Sequence, residues 1–217
     1  LEEVADPKAA AGAIIGNAGS SNSGGREVHS AFSEFSIPVT QTVEVQVAGR
    51  FDHYSDFGDT VNPKLAVRWQ PAPSFLARSS VGTGFLAPSL KSLYGARSEG
   101  YPTFIDRKAC AEQGGSACLP QQYLTISGGN PNLKEEKALT ANLGAGFQPN
   151  SDFNISVDGW FTKIDNVVGV DLEKATLAEL QGVNVADYGV QITRDPTTGE
   201  ITQVVAPNQN LSKVEVS

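Results

Sequence analysis

From Val43 to Phe51 the chain reads VEVQVAGRF, with Val43, Val45, Val47 and Phe51 apolar and Glu44, Gln46 and Arg50 polar between them. A period of two puts one oily and one wet face on a β-strand. The same alternation recurs along the chain and predicts strands near 27–37, 42–53, 63–70, 75–85, 137–147, 153–164 and, from LSKVEV onward, 211–217. The connections alternate too. Pro38–Gln41, Pro71–Ser74 and Gln148–Asp152 are short, whereas His53–Asn62 is longer and residues 87–133 and 165–210 are long excursions. In an up-and-down antiparallel array, successive connections fall at opposite ends, so the short Pro-marked turns share one end and the long loops the other. Structureless connections beyond ~12–15 residues are uncommon in compact domains. Short turns on one rim and long loops on the other is the pattern of a transmembrane β-barrel, and segments near ten residues suit a tilted strand crossing a bilayer (~9–11 residues).

Within the excursions, PSLKSLYG predicts a short helix with Pro88 at its first position and Gly95 after its last. Thr176 and Glu179 have capping-box spacing for a second helix. Tyr188–Thr193 and Glu200–Val205, joined by RDPTTG, predict a hairpin. The GNAGSSNSGG stretch, residues 16–25, reads as a surface loop.

In a barrel, Trp69, Phe75, Phe35, Ile37 and Phe147 fall beside the short turns, where an aromatic girdle sits. The wet faces line a polar interior with Glu44, Gln46, Arg50, Lys64, Arg68, Arg78, Asn142 and Asp158 as lumen-facing candidates. These charges read first as a hydrated wall, with a substrate path as the sharper alternative. Six or seven strands cannot close a wide barrel, and open edges are not tolerated in lipid. The remaining strands are therefore expected outside these 217 residues, in keeping with the absence of Met and a strand-like last segment. The competing reading is a soluble β-rich module, such as a glycan-binding sandwich, with Val45, Val67 and Val157 buried between two sheets. A third is a small non-transport barrel.

Composition narrows the partners. A formal charge of -8 argues against nucleic acid, which takes a basic face. Cys110 and Cys118, eight positions apart with glycines between them, predict a disulfide and an oxidising compartment, since no further ligand lies near them for zinc. Gly82 to Ala87 satisfies G-x-G-x-x-A without the βαβ context that binds a dinucleotide. Asp52, Asp56 and Asp59 lack EF-hand spacing and read as a solvated turn. No catalytic motif, metal set or cofactor is expected.

Three stretches, GRFDHYSDFGDTVNPKLAVRWQP, LARSSVGTGFLAPSLKSLYG and GGNPNLKEEKALTANLGAGFQP, together closely resemble consecutive barrel segments of TonB-dependent outer-membrane receptors over roughly residues 26–165. Gly84, Phe85, Ala87, Pro88 and Ser89 match the family's GFRAPS stretch with Leu86 in place of Arg. Lys134, Glu135 and Glu136 match an LKPE-like stretch with Glu135 in place of Pro. The resemblance implies part of an all-β, about 22-stranded barrel with long extracellular loops. It also implies an N-terminal plug, absent here, through which the TonB complex acts, and import of a scarce nutrient such as a siderophore-iron complex, cobalamin or a saccharide across the outer membrane of a Gram-negative bacterium.

Overall fold

The computed structural model describes residues 2–4, 6–11, 21–211 and 214–216. In chain order its principal elements are β1 (Val28–Pro38), β2 (Val43–Tyr54), β3 (Gly58–Ala72), β4 (Phe75–Leu86), α1 (Leu90–Tyr94), β5 (Ser98–Gly100), α2 (Arg107–Gln113), β6 (Thr125–Ser127), β7 (Glu136–Asn150), β8 (Phe153–Asp165), α3 (Leu172–Leu180), β9 (Gln191–Arg194), β10 (Ile201–Val205) and β11 (Val214–Val216). They divide between two compact units. One, the wall, comprises residues 26–87, 134–167 and 212–217; the other, the loop unit, comprises residues 1–25, 88–133 and 168–211. Residues 16–20 of the expected GNAGSSNSGG loop lie outside the described residues.

The wall is one seven-stranded sheet in the order β11-β8-β7-β4-β3-β2-β1, antiparallel throughout. Its edge order follows chain order because each short turn joins neighbours. Register places Val45 opposite Val67 and Leu65 opposite Val81, so the oily face of each strand continues that of the next. No second sheet covers that face within the wall. Val67 is 38% exposed, Leu143 68% and Val157 69%. Every buried hydrophobic residue of the described chain, from Leu93 and Phe104 to Val204 and Ala206, belongs instead to the loop unit. A water-facing sheet of this size would leave an apolar patch far beyond the few hundred Å² that soluble monomers expose. The sandwich reading therefore fails on its own criterion.

Two boundaries differ from the sequence reading. The strand expected at 63–70 begins at Gly58, and the connection expected at His53–Asn62 shrinks to a turn at Ser55–Phe57. The chain reverses in three residues because Arg26 pairs with Asp56 at 2.7 Å and lies over the Tyr54 and Phe57 rings, while Gly58 takes φ +105°. Pro63 does not start the strand. It lies inside β3, where the residues before Lys64 pair with β2 alone, and a residue without an N–H is tolerated where one neighbour is missing. Of the strand expected at 211–217, Val214–Val216 is described as strand.

The two long excursions fold together. β5 pairs antiparallel with β6, β6 parallel with β10, and β10 antiparallel with β9, giving a four-stranded sheet that takes two strands from each excursion. Phe104, Ala175, Val190, Ile201, Val204 and Ala206 form its core, with Tyr123 tilted onto Phe104. α1 is capped by Ser89, whose side chain accepts from the Ser92 N–H, so Pro88 precedes the cap rather than opening the helix. α3 starts four residues before Thr176, with Asp171 as its cap. Thr176 instead donates to the Glu173 carbonyl and accepts from the Arg107 N–H. The capping-box spacing was coincidental, because Thr176 and Glu179 lie on turns already inside the helix. α2, which the sequence reading lacked, is capped by Asp106 and carries Cys110, bonded to Cys118 with Cα atoms 4.5 Å apart.

Candidate functional site

The polar face of the wall gathers most of the lumen candidates into rows. One row runs Glu44, Arg68, Arg78, Gly144, Asp158 across five strands. Next to it runs Gln46, Ala66, Ser80, Asn142, Trp160. Between them lies an open cavity of about 540 Å³ lined by Gln46, Lys64, Arg68, Arg78, Asn142 and Asp158 among others. Arg68 and Arg78 stand directly opposite each other, an arrangement that destabilises a sheet unless one charge is answered elsewhere. Both are. Arg68 donates to the Gln70 side chain, and Arg78 reaches over β7 to donate to both oxygens of Asp158 at 2.8 and 2.9 Å. Asn142 donates to Ser80, and Lys64 makes no ion pair among the described residues.

Gly144 is the reason that reach is possible. A Cβ there would collide with Asp158 Oδ1 and stand 3.0 Å from Arg78 Nε. Gly144→Ala is therefore expected to release the ion pair. The pair is exposed, so the stability cost is about 0.2–1 kcal/mol. The effect is read in a double-mutant cycle in which Gly144→Ala combined with Asp158→Asn costs no more than either alone. Additive costs would show that the glycine serves something else.

Arg50 is locked more locally. It donates to Asp52, which is completely buried, and to Ser30, itself hydrogen-bonded to Asp52. The three aspartates in and beside the β2–β3 turn thus go to three partners, Asp52 to Arg50, Asp56 to Arg26 and Asp59 to His53, and do not converge. Two aromatic residues, Phe32 and Trp160, also stand exposed on the polar face, where their parity put them without any sequence signal of function.

In the loop unit a second cavity, about 570 Å³, is lined by Arg97, Ser127, Asn130, Asn132, Gln209 and Asn210 with glycine backbone around them and no carboxylate. Its frame is a hub of carboxamides. The Asn130 side chain donates to the Asn208 carbonyl and the Asn208 side chain to the Ser92 carbonyl, tying three segments together. Gly129 packs against the Leu93 carbonyl and Gly95 N–H so closely that a Cβ would approach them within 2.7 Å.

The excursions are clamped by ions. Arg194 of β9 donates to Asp106 at 2.7 Å and Glu179 at 2.8 Å, Lys108 pairs with Glu179, and Arg107 with Glu173. Burial pushes the Asp106 and Glu179 carboxyls up, but bonds from Arg194, joined by the Ala109 N–H at Asp106 and by Lys108 at Glu179, outweigh it and hold both below the usual carboxylate range. Burial likewise works against the Arg194 charge and is outweighed by the two carboxylates, which raise its pKa.

Residues 4–208 match the family described as TonB dependent receptor-like, beta-barrel. The chain belongs to the TonB-dependent receptor β-barrel family. Among its relatives, the probable TonB-dependent siderophore receptor PirA of Acinetobacter baumannii is 28% identical over 121 residues, 56% of this chain and 15% of that protein. The ferrienterobactin receptor of Escherichia coli is 24% identical over 173 residues, 72% of this chain and 22% of that protein. Solved siderophore receptors share the fold at low identity. The crystal structure of PirA from A. baumannii superposes with a TM-score of 0.59 at 18% identity, over 88% of this chain and 24% of that one. The ferric enterobactin receptor mutant PfeA R480A from Pseudomonas aeruginosa, in complex with enterobactin, gives 0.61 at 17%, over 92% and 24%. The chain spans less than a quarter of each of these proteins. Its seven wall strands form part of a TonB-dependent receptor barrel and do not close by themselves. No helix among the described residues is long and apolar enough to cross a membrane.

Proposed function

We propose that this chain supplies wall strands and two outer loops of an outer-membrane receptor that imports a ferric siderophore with energy delivered through the TonB complex. The observation that carries the reading is the co-folding of both long excursions around a cavity with one cation, several amides and no carboxylate. Arg97 with Asn130, Asn132, Gln209 and Asn210 suits an anionic, oxygen-rich chelate, and recognition concentrates on loops held by a rigid scaffold. The names of the relatives favour an iron chelate over cobalamin or a saccharide. In this reading the apolar face meets outer-membrane lipid. The face bearing Glu44, Arg50, Lys64, Arg68, Arg78, Asn142 and Asp158 meets the lumen, and the plug and the TonB contact belong to other parts of the receptor. The Cys110–Cys118 bond holds α2 against the turn that follows it. The chain binds and passes its ligand and carries no catalytic role.

The test is uptake of radiolabelled iron by cells whose only ferric-siderophore receptor is the whole protein. Accumulation from ferric enterobactin or another ferric siderophore is expected, with loss on removing TonB and a fall of at least ten-fold in apparent affinity for Arg97→Ala, the range for removing a charge-assisted bond. Growth on cobalamin without uptake of any ferric siderophore would overturn the ligand class.

A further inference from the structure

Two glycines on the polar face of the wall let cations lie across neighbouring strands. The Lys64 stem passes over Gly82 of β4, where a Cβ would stand 3.2 Å from the lysine Cβ and Cγ. Arg78 passes over Gly144 of β7 to reach Asp158. Arg68 stands opposite Arg78, and its place four residues along the same strand face sets it about 13 Å from Lys64. The three cations border a floor of small residues, Ala66, Ser80 and Gly144, over which the wall is hollow. That hollow holds about 540 Å³, within the range of small-molecule sites (~300–1,000 Å³). Asp158 is the one carboxylate in its lining, and Arg78 already takes both of its oxygens. Arg68 has only the neutral Gln70 amide, and Lys64 has no ion pair among the described residues. Three cations against one engaged carboxylate leave the lining net positive.

We propose that this hollow is a second binding station, separate from the cavity of the loop unit, for an anionic, oxygen-rich small molecule. The inference rests on the siderophore reading, in which that molecule is the ferric chelate in passage. A transient occupant accounts for the Arg78–Asp158 pair. While the station is empty, Asp158 keeps the guanidinium in place and answers its charge. The pair is 61% and 46% exposed, and exposed pairs are weak, so an arriving anion exchanges for Asp158 readily. Lys64 and Arg68 then supply the charges that no carboxylate of the hollow has claimed. The station lies near the short turns, the inner end of the wall in that reading, and so holds the chelate late in its passage.

The test compares initial rates of TonB-driven uptake in cells carrying the whole receptor, with ferric enterobactin or whichever ferric siderophore the wild type imports as the probe. Lys64→Gln combined with Arg68→Gln is expected to lower the maximal rate at least ten-fold, the range for losing charge-assisted bonds, with the half-saturating concentration near that of the wild type. Lys64→Arg combined with Arg68→Lys keeps both charges and is expected to stay within about two-fold of the wild-type rate. Entry of a large antibiotic is read in the same cells and is expected not to rise. An unchanged maximal rate in the glutamine pair would overturn the station and leave the siderophore reading standing. So would a rise in antibiotic entry, which would show that these cations hold another part of the receptor in the lumen. A wild type that imports no ferric siderophore would remove the reading and the station together.

Discussion

Arg194→Met is expected to loosen the loop unit while leaving the wall intact. The guanidinium is 14% exposed and answers Asp106, 2% exposed, and Glu179, 22% exposed, one from each excursion. Removing it strands two carboxylates, and breaking a buried pair by deleting one partner costs about 3–5 kcal/mol. Hydrogen exchange on the assembled receptor reads the outcome. Amides of α2, α3 and β9–β10 are expected to lose protection, and those of β2–β4 and β7–β8 to keep it. Replacing the cluster together as Asp106→Asn, Glu179→Gln and Arg194→Met is expected to recover part of the loss, since no stranded carboxylate remains, Lys108 loses its Glu179 partner but is half-buried within reach of water, and Asn caps α2 as well as Asp does. The sign with pH is set by the depressed carboxyls. Their contribution is complete above the unfolded values near about 4 and disappears as pH falls through the lower folded values, so the same amides are expected to lose protection in strong acid first. Unchanged exchange in the arginine variant would show that the apolar core around Phe104 and Val204 holds the excursions without the clamp.

That clamp was not legible in the sequence, for a physical reason. Arg194, Asp106 and Glu179 are separated by up to 88 positions and meet only because β6 lies beside β10. β5 and β6 are three residues each, too short to display a period of two, and β6 pairs parallel, a partnership no turn announces. Asp106 looks like any loop aspartate until it caps α2. The wall was legible where those conditions reverse. Its strands run eleven to fifteen residues apart from β11, neighbours outside the two excursions are joined by tight turns, and one face is apolar from Phe35 through Phe153.

Pro63 shows where the pattern reading fails even in the wall. Proline and the polar run HYSDFGDTVN both argue against a strand, yet pairing with β2 continues through them because only one neighbour needs the backbone there. The polar-face residues could be ranked by sequence, but not their partners. Nothing in the chain's order joins Arg78 to Asp158 eighty positions on, or His29 to His53. Such pairs are products of register, and register depends on turn lengths that include the misjudged β2–β3 connection. A strand glycine such as Gly144 reads as weak β-propensity until the bond passing over it is seen.

Leu143→Arg is expected to cripple assembly into the membrane, whereas Asn142→Arg, one residue away, is not. Leu143 sits midway along the apolar positions of β7, between Leu139 and Phe147, and is 68% exposed on the face that has no protein cover in the wall. If that face meets lipid, an arginine there lies near the bilayer midplane and costs about 2–4 kcal/mol, falling toward zero near the interfaces. The graded version therefore carries more information than the single variant. Arginine at Leu139 and at Phe147 is expected to cost less than at Leu143, because each lies nearer an end of the apolar band, with Lys163 opposite Leu139 and the Trp69–Phe75 aromatic pair near Phe147. Asn142 belongs to the row with Gln46 and Ser80, where water satisfies a new charge. Refolding of the whole receptor into bilayers, scored by the gel shift between folded and unfolded barrel, gives the ranking. Equal tolerance at 142 and 143 would remove the lipid-facing assignment, and a reversed pair would invert it, turning the row from Glu44 to Asp158 outward.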